Sequence, residues 1–288
     1  MPNVGGSDMS SQAAPQDPDG LPPELDTGVA HTARVYNYWL GGRDNFAADR
    51  ALGDAMIAAM PSTRFAARAN RAFLGRAVRY LAVEAGIRQF LDIGCGIPAV
   101  GNTHEMAQAA APDSRVVYVD NDPIVQAHAQ ALMTGDPAGA TAFIQADLRQ
   151  PDRILADPQL RRTLDLGEPV ALMLVAVVHF FPDAELPQRI VSTLLDALPP
   201  GSYLTVSHLT ADFLDPEQAA AGQAAGQRSG VTYAPRTQAE VAAFFAGLDL
   251  VEPGVVPLVT WRPDGETPAD PLAAHSYAAM GRKPTFPS

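Results

Sequence analysis

Three carboxylates, Asp92, Asp120 and Asp147, are spaced so that each lies near the end of a short apolar run. Asp92 belongs to Phe90-Leu91-Asp92-Ile93-Gly94-Cys95-Gly96-Ile97-Pro98, a hydrophobic strand pattern that runs into a Gly-x-Gly turn. The glycines permit tight backbone geometry and let a ligand approach with no Cβ in the way. A helix starting near Asn102 would offer free N–H groups and a positive dipole end. Asp120 closes the next apolar run, 24 positions after Gly96. A carboxylate there can accept both hydroxyls of a ribose. Asp147 closes a third run, where it can accept from an exocyclic adenine amine. A glycine pair alone also marks an ordinary turn, and a single Asp is often a solvated loop residue or a helix cap. Three carboxylates at consecutive strand ends are harder to assign to chance.

The elements that must position them follow from the pattern around them. Residues 29–40, 47–60 and 62–85 read as three helices, the first stopping at Gly41-Gly42, the second at Pro61, the third before Gly86. Beyond Gly86 strands and helices alternate. Strands are expected at 89–93, 115–119, 141–146, 170–178 and 202–208, and helices at 102–111, 123–133 and 184–198. Helical pieces follow at 216–227 and 237–247, then late strands at 250–261 and 275–282. The run 170–178 is the most apolar, as befits the middle of a parallel sheet covered on both faces. The expected fold is α/β: a Rossmann-like, doubly wound, seven-stranded, mainly parallel sheet with an antiparallel edge hairpin and an N-terminal helical segment. The expected division is a disordered tail at 1–26, rich in proline and poor in large apolar residues, a helical cap or lid at 27–86, and the α/β domain at 87–288.

Composition narrows the function further. With 20 Lys and Arg against 32 Asp and Glu, the net charge is −12, which makes nucleic acid an unlikely partner because phosphate contacts need clustered cations. The single cysteine, Cys95, excludes an internal disulfide and any multi-cysteine zinc site. It lies inside the glycine turn with no histidine near in sequence, which disfavours a nucleophile. The Asp120-Asn121-Asp122 run is too sparse for a metal site, so none is expected. No run reaches the ~18–20 apolar residues of a membrane span and no secretory signal is visible. A soluble, cytoplasmic chain is expected.

These features resemble class I S-adenosylmethionine-dependent methyltransferases, whose first three motifs look like Asp92-x-Gly94-x-Gly96, Asp120 and Asp147. The likeness is closer still to a bacterial subfamily, formerly a domain of unknown function and now called S-adenosyl methyltransferase. It rests on RVYNYWLGGRDNF at 34–46, the block 91–105, YVDNDP at 118–123, LVEPG at 250–254 and WRP at 261–263. The resemblance implies S-adenosylmethionine as cofactor and methyl transfer as activity. It assigns Gly94, Cys95 and Gly96 to the methionine part, Asp92 to its ammonium, Asp120 to the ribose, and Asn121, Asp147 and Leu148 to the adenine. Pro98 stands where the broad class often has a third glycine, and it removes an N–H donor from the loop.

Other candidates lie outside these motifs. Tyr36, Tyr38, Arg43 and Asn45 crowd around the Gly-Gly break, as aromatics docked on a core or as a lid over cofactor and acceptor. Arg64, Arg68 and Arg71 share one helix face, which is either solvated or a clamp for a ligand carboxylate; Arg68 is the representative site candidate. His179, after the fourth strand, is either a structural histidine or a base for an acceptor oxygen or nitrogen. A small molecule is the expected acceptor. Two rival readings remain: an NAD-dependent oxidoreductase, since Ala99 can complete a dinucleotide fingerprint, and a non-catalytic nucleoside-binding protein.

Overall fold

The first central strand, β1 (Gln89–Ile93), is buried at all five positions, as a strand covered on both faces must be. In the computed structural model, which describes residues 26–132 and 136–285, β1 pairs in parallel with β2 (Arg115–Asp120) and β4 (Ala171–Val175). β3 (Ala140–Gln145) extends the sheet beyond β2, and β5 (Tyr203–Leu209) extends it beyond β4, both in parallel. β8 (Ser276–Arg282) then runs antiparallel to β5. With β6 (Asp249–Leu250) and β7 (Val256–Pro257) both on β8, the resulting order is β3-β2-β1-β4-β5-β8-β6, β7 lying off this path. The order reverses between β1 and β4, and that switch is where ligands of doubly wound sheets bind. The predicted tail falls outside the described residues except for Asp26, as does Met133.

The late strand expected at 250–261 is instead two short pieces, β6 (Asp249–Leu250) and β7 (Val256–Pro257), both antiparallel to β8. Pro253 and Pro257 cannot donate to a ladder, which confines pairing to these pieces. Residues 258–260 form a 3₁₀ turn. The sheet therefore has seven strand positions, the outermost shared by β6 and β7. β4 is shorter than the apolar run that predicts it, because Ala176 takes a left-handed φ of 57°. The helix expected at 184–198 begins only at Pro187, since Leu186 adopts φ 52° and a residue before proline is held away from the helical region.

The N-terminal helices are α1 (Thr32–Leu40), α2 (Ala47–Ala59) and α3 (Thr63–Arg79), the last ending in a π turn at Tyr80–Glu84. Gly41 closes α1 at φ 86°, the left-handed cap that its sequence predicts. α4 (Thr103–Ala110) has Asn102 as N-cap and Glu105 completing a capping box. α5 (Pro123–Leu132) follows β2. Two short helices, α6 (Pro151–Ala156) and α7 (Pro158–Thr163), precede β4 and each starts on a proline. α8 (Pro187–Asp196), α9 (Pro216–Arg228) and α10 (Gln238–Ala242) complete the set.

Two large apolar clusters cover the two faces of the sheet. One joins Leu91, Val117, Leu172 and Leu204 to α6, α7 and α8. The other joins Phe90, Val116, Ala171 and Met173 to α3 and Trp261. A third cluster lies apart from the sheet and binds Val35 of α1 and Leu52, Met56 and Met60 around α2 to Ala225, Val231 and Tyr233. It seats the N-terminal helices against α9, above the carboxyl ends of the strands. Among the described residues no helix is long and apolar enough to cross a membrane.

Candidate functional site

A cavity of about 390 Å³ opens at the carboxyl ends of β1, β2 and β3 and continues under α1, α2 and α3. This size lies within the usual range for small-molecule sites, roughly 300–1,000 Å³. Gly94 and Gly96 carry the loop across its floor at φ 74° and 68°, where side chains other than glycine are strained. A Cβ on Gly94 would come within 2.5 Å of Val177 Cγ2, whereas one on Gly96 would point into open space. Gly94 thus allows the loop to lie against the β4 end, and Gly96 leaves room.

The carboxylates converge on this floor. Asp120 is 6% exposed; its Oδ2 accepts from Gly96 N at 2.9 Å and its Oδ1 from Asp122 N at 3.0 Å. Burial raises its pKa against the pull of those two bonds. Asp92 is 5% exposed and accepts from Thr103 Oγ1 at 2.6 Å. Burial pushes its pKa up to about 6, with Thr103 and Arg71 opposing. Both retain unused lone pairs and line the cavity. Asp147 is half-buried; its Oδ1 accepts from Arg149 N at 2.8 Å, and its Oδ2 pairs with the Arg149 guanidinium at 3.3 Å. Asn121, Leu148 and Cys95 also line the cavity. Burial and then Asp120 and Asp92 push the Cys95 thiol up, so the thiolate that a nucleophile needs is disfavoured.

The other half of the cavity is built differently. Tyr36 Oη donates to Ala67 O at 2.9 Å and accepts from Asn70 Nδ2 at 3.0 Å. Ser207 Oγ donates to Asn70 Oδ1 at 2.5 Å and accepts from Ala176 N at 2.9 Å. This chain ties α1 and α3 to the ends of β5 and β4. His179 is 9% exposed; its Nδ1 accepts from Leu209 N at 3.4 Å. Burial, His208 and Arg236 hold its pKa well below the usual histidine value. The ring is therefore neutral at pH 7, and its proton sits on Nε2.

Not every residue singled out from the sequence reaches this cavity. Tyr36 and Arg71 line it; Tyr38, Arg43, Asn45 and Arg68 do not. Tyr38 donates to Asp54 Oδ1 at 2.6 Å and lies under the Arg64 guanidinium. Asn45 is buried on Asn37 and the Gly42 carbonyl, where it closes the turn after α1. Arg43 and Arg68 are exposed. Of Arg64, Arg68 and Arg71, only Arg71 turns to the site, its Nη2 donating to the carbonyls of Val100 and Gly101.

Sequence reasoning missed several lining residues. Asn70 falls in the apolar register of α3 with Ala67, Phe73 and Leu74, and an amide at such a position is a readable sign of a buried polar role. His31 and Arg34 meet Asp122 Oδ2 at 2.9 and 3.1 Å, tying α1 to the loop after β2. Tyr233 and Ser207 carry no comparable signal, since loop path and strand register place them.

A Rossmann-like mixed sheet with N-terminal helices and a cavity at the carboxyl strand ends defines the class, and comparison with known proteins gives the family. The S-adenosyl methyltransferase pattern matches residues 18–284. The chain belongs to this S-adenosylmethionine-dependent methyltransferase family. It is 48% identical to a DUF574 family protein from Streptomyces avermitilis MA-4680, over 90% of this chain and 99% of that one, with a TM-score of 0.87. A candidate methyltransferase from Thermobifida fusca YX is 44% identical, over 92% and 98%, with a TM-score of 0.83. An O-methyltransferase family protein from Burkholderia thailandensis shares the fold at 16% identity, over 78% and 61%, with a TM-score of 0.50. No curated protein matches the chain.

Proposed function

We propose that this chain binds S-adenosylmethionine over the glycine loop and transfers its methyl group to a small molecule held in the other half of the same cavity. The observation that carries this reading is the convergence of Asp92, Gly94, Gly96, Asp120 and Asp147 on one cavity that continues beyond them. The residues present fit the ligand. Gly96 leaves open space beside the loop, Asp120 and Asp92 are buried carboxylates with lone pairs unspent, and Leu148 supplies an apolar wall 5% exposed.

When bound, S-adenosylmethionine supplies a methyl group on a positively charged sulfur, and loss of that methyl leaves a neutral thioether. Asp120 would accept from the ribose hydroxyls, Asp147 from the adenine amine, and Asn121 would flank the ring. Asp92 would take the methionine ammonium, and that cation would favour its ionised form. Arg71 stands nearest in type to the ligand carboxylate. Because the donor is already activated, the protein's task is orientation and exclusion of water. His179 is a weak base in this setting; its Nε2–H would orient the acceptor, and any proton the acceptor releases would pass to water.

Calorimetric titration with S-adenosylmethionine, S-adenosylhomocysteine and NAD(H) tests the reading. Binding of the first two and not the third is expected, and failure of both to bind would overturn it. Asp120→Ala should weaken S-adenosylhomocysteine by about 10- to 100-fold, as loss of a charged hydrogen-bond acceptor does. Undiminished affinity would remove the ribose assignment. A methyl-incorporation screen over metabolites then separates an enzyme from a binding protein without turnover.

A further inference from the structure

The acceptor half of the cavity has a chemical character of its own. Its apolar wall comes from Trp39, Met56, Met60, Phe180 and Val231. The Trp39 indole N–H is already spent on Gly53 O at 3.2 Å, leaving its ring as apolar surface. Flexible thioethers beside aromatic rings suit flat, polarisable guests.

No charged side chain among the described residues lines this half; the nearest, Arg236, lies behind His208 at 3.0 Å and is paired with Asp183 at 2.7 Å. Among the described residues the charged groups lining the cavity are Asp92, Asp120, Asp147, Arg71 and Arg149, with His31 paired to Asp122. All belong to the glycine loop, the ends of β1 to β3, or contacts with them. Arg71 is committed to carbonyls of that loop, and Arg149 to Asp147 and Glu185. The histidines of the acceptor half, His179, His208 and His275, all have depressed pKa values, chiefly through burial. An ion placed there would be desolvated with no partner, which is costly.

Most of the polar atoms are spent within the fold, although among the described residues Thr232 and Ser276 also line the cavity, their hydroxyls without a bond inside the fold. Tyr36, Asn70 and Ser207 spend theirs on one another and the backbone, as described above. His208 places Nδ1 on Leu209 O at 2.8 Å and Nε2 on Arg236 at 3.0 Å. His275 places Nε2 on Ser62 Oγ at 2.7 Å, while its Nδ1 is enclosed away from the cavity without a hydrogen-bond partner. Tyr233 and His179 differ. Each is 9% exposed, and their rings lie near parallel, 22° apart with centroids at 6.4 Å. Among the described residues no group bonds the Tyr233 hydroxyl, and only Nδ1 of His179 is engaged. Gly226 fixes this arrangement, since a Cβ there would fall 2.7 Å from the Tyr233 ring and 2.6 Å from Val231 O. Tyr233 and His179 both line the cavity, so the polar edge of a bound molecule can meet these two groups.

We propose that this half of the cavity takes an uncharged, flat aromatic acceptor whose polar edge is held by the Tyr233 hydroxyl and the His179 Nε2–H. The proposal rests on the methyltransferase reading for the word acceptor, and its binding chemistry can be tested separately. The probes are 2-naphthol, naphthalene and 2-naphthoate, titrated by fluorescence into the full chain with and without saturating S-adenosylhomocysteine. 2-Naphthol should bind at least about tenfold more tightly than 2-naphthoate. Tyr233→Phe should weaken 2-naphthol by about fivefold, the worth of one hydrogen bond, and leave naphthalene unchanged. Equal or tighter binding of 2-naphthoate would overturn the proposal. So would a Tyr233→Phe protein that binds 2-naphthol as wild type does, or that loses naphthalene equally. Should that variant fail to fold, His179→Gln carries the same comparison with the same outcomes. If S-adenosylhomocysteine does not bind while 2-naphthol binding still depends on Tyr233, the cofactor reading fails and the aromatic site stands.

Discussion

Asp92 is a carboxylate whose ionised form the fold holds at a cost. Its folded pKa, about 6, lies above its ordinary value, so its contribution to stability is fully present below pH ~3.8 and is lost as pH rises through 6. The shift corresponds to about 3 kcal/mol. Asp92→Asn keeps an oxygen for Thr103 and removes the ionisation. Without ligand, that variant should therefore melt above wild type at pH 7.5 and level with it at pH 4. Thermal unfolding at the two pH values checks this, and a variant less stable at both would refute it. The position was legible because β1 is read as a strand and Asp92 as its acidic member. Its burial was not, since that depends on Thr103 and α4 closing over it. Arg43 and Asn45 show the opposite: chemically suggestive residues whose side chains the turn after α1 directs to solvent and to Asn37.

At the scale of elements, α1 is held to the loop after β2 by a buried trio. Asp122 is 1% exposed and Arg34 4%. Burial would raise the Asp122 pKa, but the His31 bond and charge, the Ile124 N–H and the Arg34 charge together outweigh it and the net shift is downward. Burial would lower that of His31, but Asp122 outweighs it and the net shift is upward. Asp122 therefore stabilises the fold above its unfolded pKa and loses that effect as pH falls through its folded value. His31 stabilises fully below 6.5 and loses that effect as pH rises through its raised value. The trio is complete between those limits. Asp122→Asn leaves Arg34 buried beside Asp49 alone, and should cost about 3 kcal/mol. Amide protection in α1, taken relative to the intrinsic exchange rate at each pH, should fall in that variant and, in wild type, above neutral pH; His31→Gln should abolish the second effect. The helices were readable from their caps, but this tie was not. It joins residues far apart in sequence, and only the fold brings them together.

The whole molecule places the proposed cofactor and acceptor halves in one cavity, with the sheet as floor and α1 to α3 as roof. A ligand present at 100 times its Kd stabilises the folded state by about 2.7 kcal/mol, worth roughly 5–10 °C in Tm for a chain of this size. S-adenosylhomocysteine should produce that rise and NAD should not, as differential scanning calorimetry would show. The mainly parallel, doubly wound sheet was legible because strand and helix periods alternate cleanly, whereas the broken outer strand was not, since Pro253 and Pro257 interrupt an otherwise apolar run. The seating of α2 on α9 has one more consequence. Met56 and Met60 find Ala225, Val231 and Tyr233 only across most of the sequence, and such non-local pairings form late. On the ribosome the helices made first are thus the last to be covered. A nascent chain stalled before Pro216 would display their apolar stripe to chaperones.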